Sequence, residues 1–423
     1  MDQPASASLT RQQIRTLSLA SLGGALEFYD FVIFVFFATT MGALFFPADM
    51  PEWLKLVQTF GIFAAGYLAR PLGGIVMAHF GDLSGRKRMF MLSILMMAIP
   101  TLLMGLLPIY ATVGVLAPIL LLLLRIMQGA AIGGEAPGAW VFVSEHVSPR
   151  HRALACGALS AGLCSGILLG SLVARAINAV FDEAEVLAWA WRLPFIAGGV
   201  FGLLAMYLRR QLRETPVFAE MRERRSLAAE LPLKRVVRDH AGAVLLAMLL
   251  TWLLTAAVVV TLLMMPTLLQ GLGVSRADAL AGNTLAICAT VIANLVAGWM
   301  ADRFGAGRVL VLWSVLLGIA FWMFYGAALQ GAYSPALYVV AGVGVGVTAL
   351  VPAIAVGGFP AQVRFSGLSF SYNVAYAIAG GLTPILLSLA IQRDPAAPMQ
   401  YIAGMAVLGI ALGLHVMVRR PRG

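Results

Sequence analysis

Charge is what this sequence has least of. Asp, Glu, Lys and Arg make up 11% of its 423 residues, against 61% hydrophobic residues and a mean hydropathy of +0.90. A water-soluble domain carries about 25% charged residues, so the composition excludes one and points to an integral membrane protein. Cysteine is scarce as well. Cys156, Cys164 and Cys288 lie in apolar runs with no CxxC pair, which argues against a disulfide framework or a thiolate metal site. The 5 histidines have no metal-binding spacing. No Walker A sequence occurs, which argues against ATP as an energy source. With no nucleophile–base pair and no metal set, the chain does not read as an enzyme, and no cofactor is expected. Acidic residues are also in deficit, leaving a net charge of +10. The basic excess gathers in loops on one side rather than in one patch, so the expected surface partner is the lipid bilayer and not nucleic acid.

What the sequence has in abundance is long apolar runs. A spanning helix needs about 20 such residues, and twelve runs qualify: 17–46, 53–80, 89–108, 112–144, 153–181, 189–208, 241–270, 277–301, 308–330, 335–359, 365–392 and 398–418. The first is too long for a signal-peptide core and reads as a retained span. With the N-terminus cytoplasmic, 22 basic residues fall inside and 4 outside, while Arg70, Arg125 and Arg175 lie within spans. Both termini are therefore expected on the cytoplasmic side. One long polar break, with six arginines from Arg209 to Arg225 and four glutamates from Glu214 to Glu230, reads as an amphipathic helix or a solvated linker. The chain is thus expected to divide into a bundle at 1–208, a linker at 209–240 and a second bundle at 241–423.

The halves repeat a signal. Ala78-x-x-x-Asp82-x-x-Gly85, followed by Arg86, recurs as Gly298-x-x-x-Asp302-x-x-Gly305, followed by Arg308, each at the inner end of the second span of its half. Parallel repeats of this kind build transporters with a central site at the repeat interface. Together with Arg125-x-x-Gln128-Gly129 in the fourth span and Glu145-x-x-x-Pro149-x-x-Arg152 after it, these loops resemble the major facilitator superfamily. Four further stretches are similar to its metabolite–proton symporters. They are Glu27-Phe-Tyr-Asp30-Phe31, Arg70-Pro-Leu-Gly-Gly74, Arg213-Glu-Thr-Pro-Val-Phe218, and Phe359-Pro-x-x-Val-Arg364-Phe-Ser-Gly367 leading to Tyr372-Asn373 and Gly380-Gly381-Leu-Thr-Pro384. The resemblance implies an all-α integral membrane fold of twelve transmembrane helices in two six-helix bundles, and a cargo among tricarboxylates, dicarboxylates, shikimate-like acids or zwitterions such as proline and betaine. The sequence departs from the family pattern at Ala78, Leu83 and Ala306-Gly307. Those departures shift the expected inner latch toward the first half.

Charges inside a bilayer are costly and mark function. Glu27 and Asp30 are three apart, hence on one helix face. At about 1.5 Å per residue, Asp30 and Arg125 both reach mid-membrane. An Asp30–Arg125 pair is expected there, with Asp30 as the main proton carrier, Arg125 as the cation shared with substrate, and Glu27 and Glu135 as secondary acids. A permanent structural ion pair is the competing reading. Arg125, Gln128, Arg70, Tyr372, Asn373 and Asn283 are the candidate substrate contacts. Asp82, Gly85, Arg86, Glu145, Arg152, Asp302, Gly305 and Arg364 are the candidate cytoplasmic gate. In it the aspartates meet Arg152, Arg364 or a helix N-terminus, and Glu145 meets Arg86 or Arg152.

The expectation is a monomeric transporter of a bacterial inner membrane that takes up a small organic anion with protons, most readily a di- or tricarboxylate such as citrate. The alternatives are uptake of proline- or betaine-like zwitterions, drug or metabolite efflux, and a membrane sensor that does not transport.

Overall fold

The computed structural model describes residues 10–84, 86–133, 135–209, 232–360 and 363–418; of residues 75–94, 135, 205, 208–209, 232–235 and 365 it describes at most the backbone. The chain makes twelve helical passes. In order they are α1 (Arg11–Phe36, continued as Ala38–Phe45), α2 (Glu52–Ser84), α3 (Arg86–Leu106), α4 (Leu116–His146), α5 (Arg152–Val180), α6 (Arg192–Arg209), α7 (Ala241–Gly271), α8 (Arg276–Phe304), α9 (Ala306–Leu329), α10 (Pro335–Gly357), α11 (Arg364–Ala390) and α12 (Ala397–Val418). Among the described residues, nine helices are long and apolar enough to cross a membrane, or ten if the bent pair around Trp191 counts as one span. Helices α2 and α3 complete the set of twelve. Of the expected linker, residues 210–231 lie outside the described residues, and its end forms the short helix Pro232–Asp239.

Helix packing repeats itself. In the first half α1 lies along α5, α2 along α4, and α3 along α6; in the second, α7 lies along α11, α8 along α10, and α9 along α12. Adding six to each helix number in the first set gives the second. The halves meet along two seams, α5 with α8 and α2 with α11, which the same operation exchanges. This is the parallel repeat foreshadowed by the Asp-x-x-Gly loops.

The faces within each helix follow membrane physics. On α4, Leu116, Ile119, Leu123, Ile126 and Met127 face outward, whereas Ala117, Leu121, Arg125, Gln128, Gly129 and Ile132 are buried at helical spacing. Lipid tails are as apolar as leucine, so the packed face is the one with small and polar residues. At the α2–α4 contact, a Cβ on Gly129 would run into the Gly66 carbonyl; at the equivalent α8–α10 contact, a Cβ on Gly342 would run into the Ala286 carbonyl. Gly305 turns the chain between α8 and α9 with a φ of 91°, a conformation open to glycine and strained for other residues.

Candidate functional site

Mid-depth in the bundle, two arginines stand among aromatic rings. Arg125 of α4 is fully buried; its guanidinium lies 4.4 Å from the Phe31 ring centroid, 4.7 Å from Phe34 and 5.0 Å from Phe63. Arg70 of α2 is 2% exposed and lies 4.8 Å from the same Phe31 ring, 4.6 Å from Tyr67 and 4.6 Å from Tyr376. The rings form a continuous wall across the seam between halves. Phe31 contacts Tyr67 at 4.9 Å, Tyr67 contacts Tyr376 at 5.0 Å, Tyr376 contacts Tyr372 at 5.0 Å, and Tyr372 meets Trp140 edge to face at 5.0 Å. The helix period produces this wall. Phe31 and Phe34 are three apart on α1, Phe63, Tyr67 and Arg70 are four and three apart on α2, and Tyr372 and Tyr376 are four apart on α11, so each set shares a face.

A desolvated cation–π contact contributes about 2 kcal/mol or more, yet a ring face does not use a guanidinium's N–H donors. Arg125 Nη1 donates to the Phe31 carbonyl at 3.1 Å and to Gln128 Oε1 at 2.8 Å. The Nε and Nη2 atoms of both Arg70 and Arg125 are buried without a hydrogen-bond partner among the described residues. No ion pair to either arginine occurs among the described residues. Such donors are costly to leave unmade, and an oxyanion between the two guanidiniums would satisfy them.

The expected Asp30–Arg125 pair is not formed. Asp30 reaches the expected depth and is 1% exposed, but successive residues of a helix point about 100° apart. Phe31 therefore faces the arginines, while the Asp30 carboxylate is turned toward α3 and α6 and has no hydrogen-bond partner among the described residues. Arg125 meets α1 at a backbone carbonyl instead. Gln128, one turn further along α4, joins Arg125 to Thr101 of α3, donating from Nε2 to Thr101 Oγ1 at 2.6 Å and to the Asp30 carbonyl at 3.5 Å. Glu27 is buried on α1 one turn nearer the helix start. The side chain of Glu135 lies outside the described residues.

Two further expectations are corrected. Asn283 does not face the arginines: its Oδ1 accepts from Tyr338 Oη inside the second half. Asn283 stands in the second turn of α8, too near the helix end to reach mid-depth. Asn373 Nδ2 is occupied by the Gly133 carbonyl, where α4 breaks, and by Ser369 Oγ at 3.3 Å. It ties the halves together, while Tyr372 beside it belongs to the aromatic wall.

At the end of the bundle that carries the N-terminus, the halves are latched. Asp302 accepts from the backbone N–H groups of Ala153 at 2.9 Å and Leu154 at 2.8 Å, the first turn of α5. Of the partners expected for Asp302, it takes the helix N-terminus, whose free N–H groups attract an anion; Arg152 Nε has no hydrogen-bond partner among the described residues. Glu145 pairs with Arg364 at 2.9 Å, across the seam, rather than with Arg152 among the described residues, because α4 ends beside the start of α11. Gly85 lies outside the described residues, and the side chains of Asp82 and Arg86 are likewise undescribed. At the other end, Ser171 and Thr284 hydroxyls bond at 2.8 Å across α5 and α8, and Arg276 Nη2 donates to Thr40 at 3.3 Å. Among the described residues, the halves are thus bonded to each other at both ends of the bundle.

The box includes rings that sequence reasoning passed over: Phe31, Phe34, Phe63, Tyr67 and Trp140. Their signal was present as aromatic residues at helical spacing beside an intramembrane arginine.

Comparison with known proteins agrees with this architecture. The family model described as Major Facilitator Superfamily matches residues 20–384. A proline/betaine transporter of Salmonella typhimurium is 31% identical over 420 residues, covering 95% of this chain and 83% of its own. The inner membrane metabolite transport protein YhjE of Escherichia coli is 33% identical over 415 residues, covering 94% of this chain and 92% of its own. Among solved structures, a D-xylose-proton symporter superposes with a TM-score of 0.73 at 17% identity, covering 95% of this chain and 97% of that one. Two parallel six-helix halves closing on a central charged box, and a family match over most of the sequence, make the chain a secondary transporter that belongs to the Major Facilitator Superfamily.

Proposed function

We propose that this protein takes up a small zwitterion, one carboxylate joined to a quaternary or secondary ammonium as in betaine or proline, together with a proton. The observation that carries the reading is the box itself: two guanidiniums with open donor edges, set in a ring wall contributed by both halves. In this reading a carboxylate takes the unpartnered donors of Arg70 and Arg125. The faces of Tyr372, Tyr376 and Trp140 suit an ammonium group, which is drawn to the negative face of an aromatic ring. The names of the proline/betaine relatives support this class. A di- or tricarboxylate is the second reading, favoured by the presence of two arginines where one would serve a single carboxylate.

Asp30 is the proton carrier in this proposal, supported by its burial and its lack of partners. An ionised carboxylate without donors is expensive in a dry interior. Arg125 holds the substrate carboxylate, Glu27 and Glu135 stand as secondary acids, and the proton is the coupling species with no other cofactor. Both termini are placed in the cytoplasm of a bacterial cell, the segments 1–208 and 241–423 act as the moving units about the 209–240 linker, and the protein works as a monomer.

Proteoliposomes test the reading. Radiolabelled betaine, proline, citrate and succinate would be offered with and without an inward proton gradient. Gradient-driven accumulation of betaine or proline is expected, abolished by Asp30→Asn. Accumulation of citrate or succinate alone would overturn the substrate assignment, and full gradient-driven uptake by Asp30→Asn would overturn its role as carrier.

A further inference from the structure

Asp30 occupies a slot of its own. A Cβ placed on Gly198 of α6 would stand 2.7 Å from Asp30 Oδ1, and one on Gly202 would stand 3.2 Å from Oδ2. These glycines are four apart and leave room for the carboxylate between α1, α3 and α6. The same imaginary Cβ on Gly198 would lie 2.7 Å from Cγ2 of Thr101. The methyl of Thr101 therefore points into the acid's slot. Its hydroxyl points the other way, donating to the Met97 carbonyl at 2.8 Å and accepting from Gln128 at 2.6 Å. Threonine has staggered χ1 wells that differ by which substituent takes which direction, so one rotation carries the hydroxyl to where the methyl now stands.

We infer that Thr101 and Gln128 form a hydrogen-bond switch that couples the acid slot to the arginine box. The chain of bonds has a direction. Arg125 donates to Gln128, Gln128 donates to Thr101, and Thr101 donates to a backbone carbonyl. When Asp30 is neutral the chain stands as observed. When Asp30 loses its proton, the nearest donor able to reach it by rotation is the Thr101 hydroxyl. That rotation takes the acceptor away from Gln128 Nε2, and the amide then loosens its hold on Arg125 Nη1. Run in reverse, a substrate carboxylate that draws Arg125 away from Gln128 changes the affinity of Asp30 for its proton, since linkage is reciprocal. Thr101 relays a hydrogen bond and carries no proton itself. Among the described residues, the titratable and charged groups nearest Asp30 along the chain and across from it are Tyr29 and Glu27 on α1 and Arg125 on α4, which reaches the carbonyl of Phe31. Helices α3 and α6 present Ala98, Thr101, Gly198 and Gly202, none of which titrates. Thr101 and Gln128 are thus positioning residues, acting through Asp30 and Arg125.

This inference rests on the proton-coupled reading above, and the test separates the two. Wild type, Thr101→Val, Thr101→Ser and Asp30→Asn would be compared in proteoliposomes for gradient-driven betaine uptake across pH and for betaine counterflow without a gradient. Thr101→Val keeps the shape and removes the hydroxyl. It is expected to retain counterflow within about twofold while the pH dependence of KM flattens or moves by about one pH unit. Thr101→Ser is expected to restore the wild-type profile. A wild-type pH profile in Thr101→Val, with Asp30→Asn uncoupled, would overturn the switch and leave the carrier assignment standing. Equal loss of counterflow in Thr101→Val and Thr101→Ser would assign the site a packing role and also overturn the switch. Full gradient-driven uptake by Asp30→Asn would remove the reading on which both rest.

Discussion

Removing the Asp302 carboxylate should open the latched end of the bundle. The side chain accepts two backbone N–H groups, at 2.9 and 2.8 Å, from the first turn of α5 across the seam. A hydrogen bond to a charged group contributes about 1.5–3 kcal/mol, and an anion at a helix N-terminus contributes about 0.3–1 kcal/mol, rising to ~2 when partly buried. These overlap rather than add, and Asp302 is only partly buried, so about 2–3 kcal/mol of preference for the latched state is a fair figure. At about 1.4 kcal/mol per factor of ten, the unlatched population rises roughly 30- to 150-fold. The protein carries its own reporter: Cys156 sits in the first turns of α5 and is fully buried. In a background with Cys164→Ala and Cys288→Ser, alkylation of Cys156 by a membrane-impermeant maleimide from the N-terminal side should accelerate by that factor in Asp302→Ala. Asp302→Asn, which keeps one neutral acceptor, should fall between. An alkylation rate unchanged in Asp302→Ala would refute the argument that this cap holds the end closed.

Other substitutions follow from the same geometry. The Glu145–Arg364 pair is partly exposed, with side chains 32% and 17% accessible, so a double-mutant cycle of Glu145→Gln and Arg364→Gln in the alkylation assay should give a coupling of about 1 kcal/mol or less. Gly129→Ala should lower folded yield and melting temperature sharply, since the added methyl meets the Gly66 backbone, while Gly61→Ala, with nothing within 4 Å, should be near neutral; overpacking a close contact costs about 1–3 kcal/mol or more. Asn283→Ala should lower thermal stability modestly, since it removes one of the two acceptors of the Tyr338 hydroxyl and leaves it the Thr261 carbonyl at 2.9 Å, yet leave the KM for substrate unchanged; a large KM effect would return Asn283 to the binding site. Arg70→Lys and Arg125→Lys should each reduce uptake at least tenfold despite keeping the charge, because a lysine ammonium lacks the planar stacking surface and the fork of donors.

Much of the fold was legible because depth and length are one-dimensional. Apolar runs gave the twelve passes, and the recurrence of Asp82 and Asp302 gave the repeat. Counting residues along α1 and α4 also put Asp30 level with Arg125 and Gln128, whose side chains reach the Phe31 and Asp30 carbonyls. Azimuth was not legible in the same way. A single residue's difference, Asp30 against Phe31, decides which of them faces Arg125, and the phase of a helix that is apolar on every side carries little pattern. The same limit explains Asn373, whose partner Gly133 lies on a helix distant in sequence; Asn283 was instead misplaced in depth, which its position in the second turn of α8 made countable. The latch was legible in part. A helix N-terminus was among the partners expected for Asp302, whereas the pairing of Glu145 with Arg364 depends on which helix ends meet across the seam, which no local pattern records.

The α5–α8 seam carries a mechanical consequence. Helix α5 has 29 residues and is about 43 Å long at about 1.5 Å per residue. It is bonded to α8 through its first turn and again through Ser171, in its outer half. Treated as a stiff beam pivoting near its centre, a tilt of about 10° moves the first turn by ~3 Å and Ser171, about 7 Å from the centre, by ~1 Å, and leaves the middle nearly still. A bond already at 2.8–2.9 Å is broken at the first turn and badly stretched at Ser171. Neither fastening blocks the pivot on its own, since rotation in one sense parts the first and rotation in the other parts the second. The rings and guanidiniums that stand level with the middle of α5, where Gly166 and Gly170 pack on α1, are therefore the part of the bundle that such a rotation disturbs least.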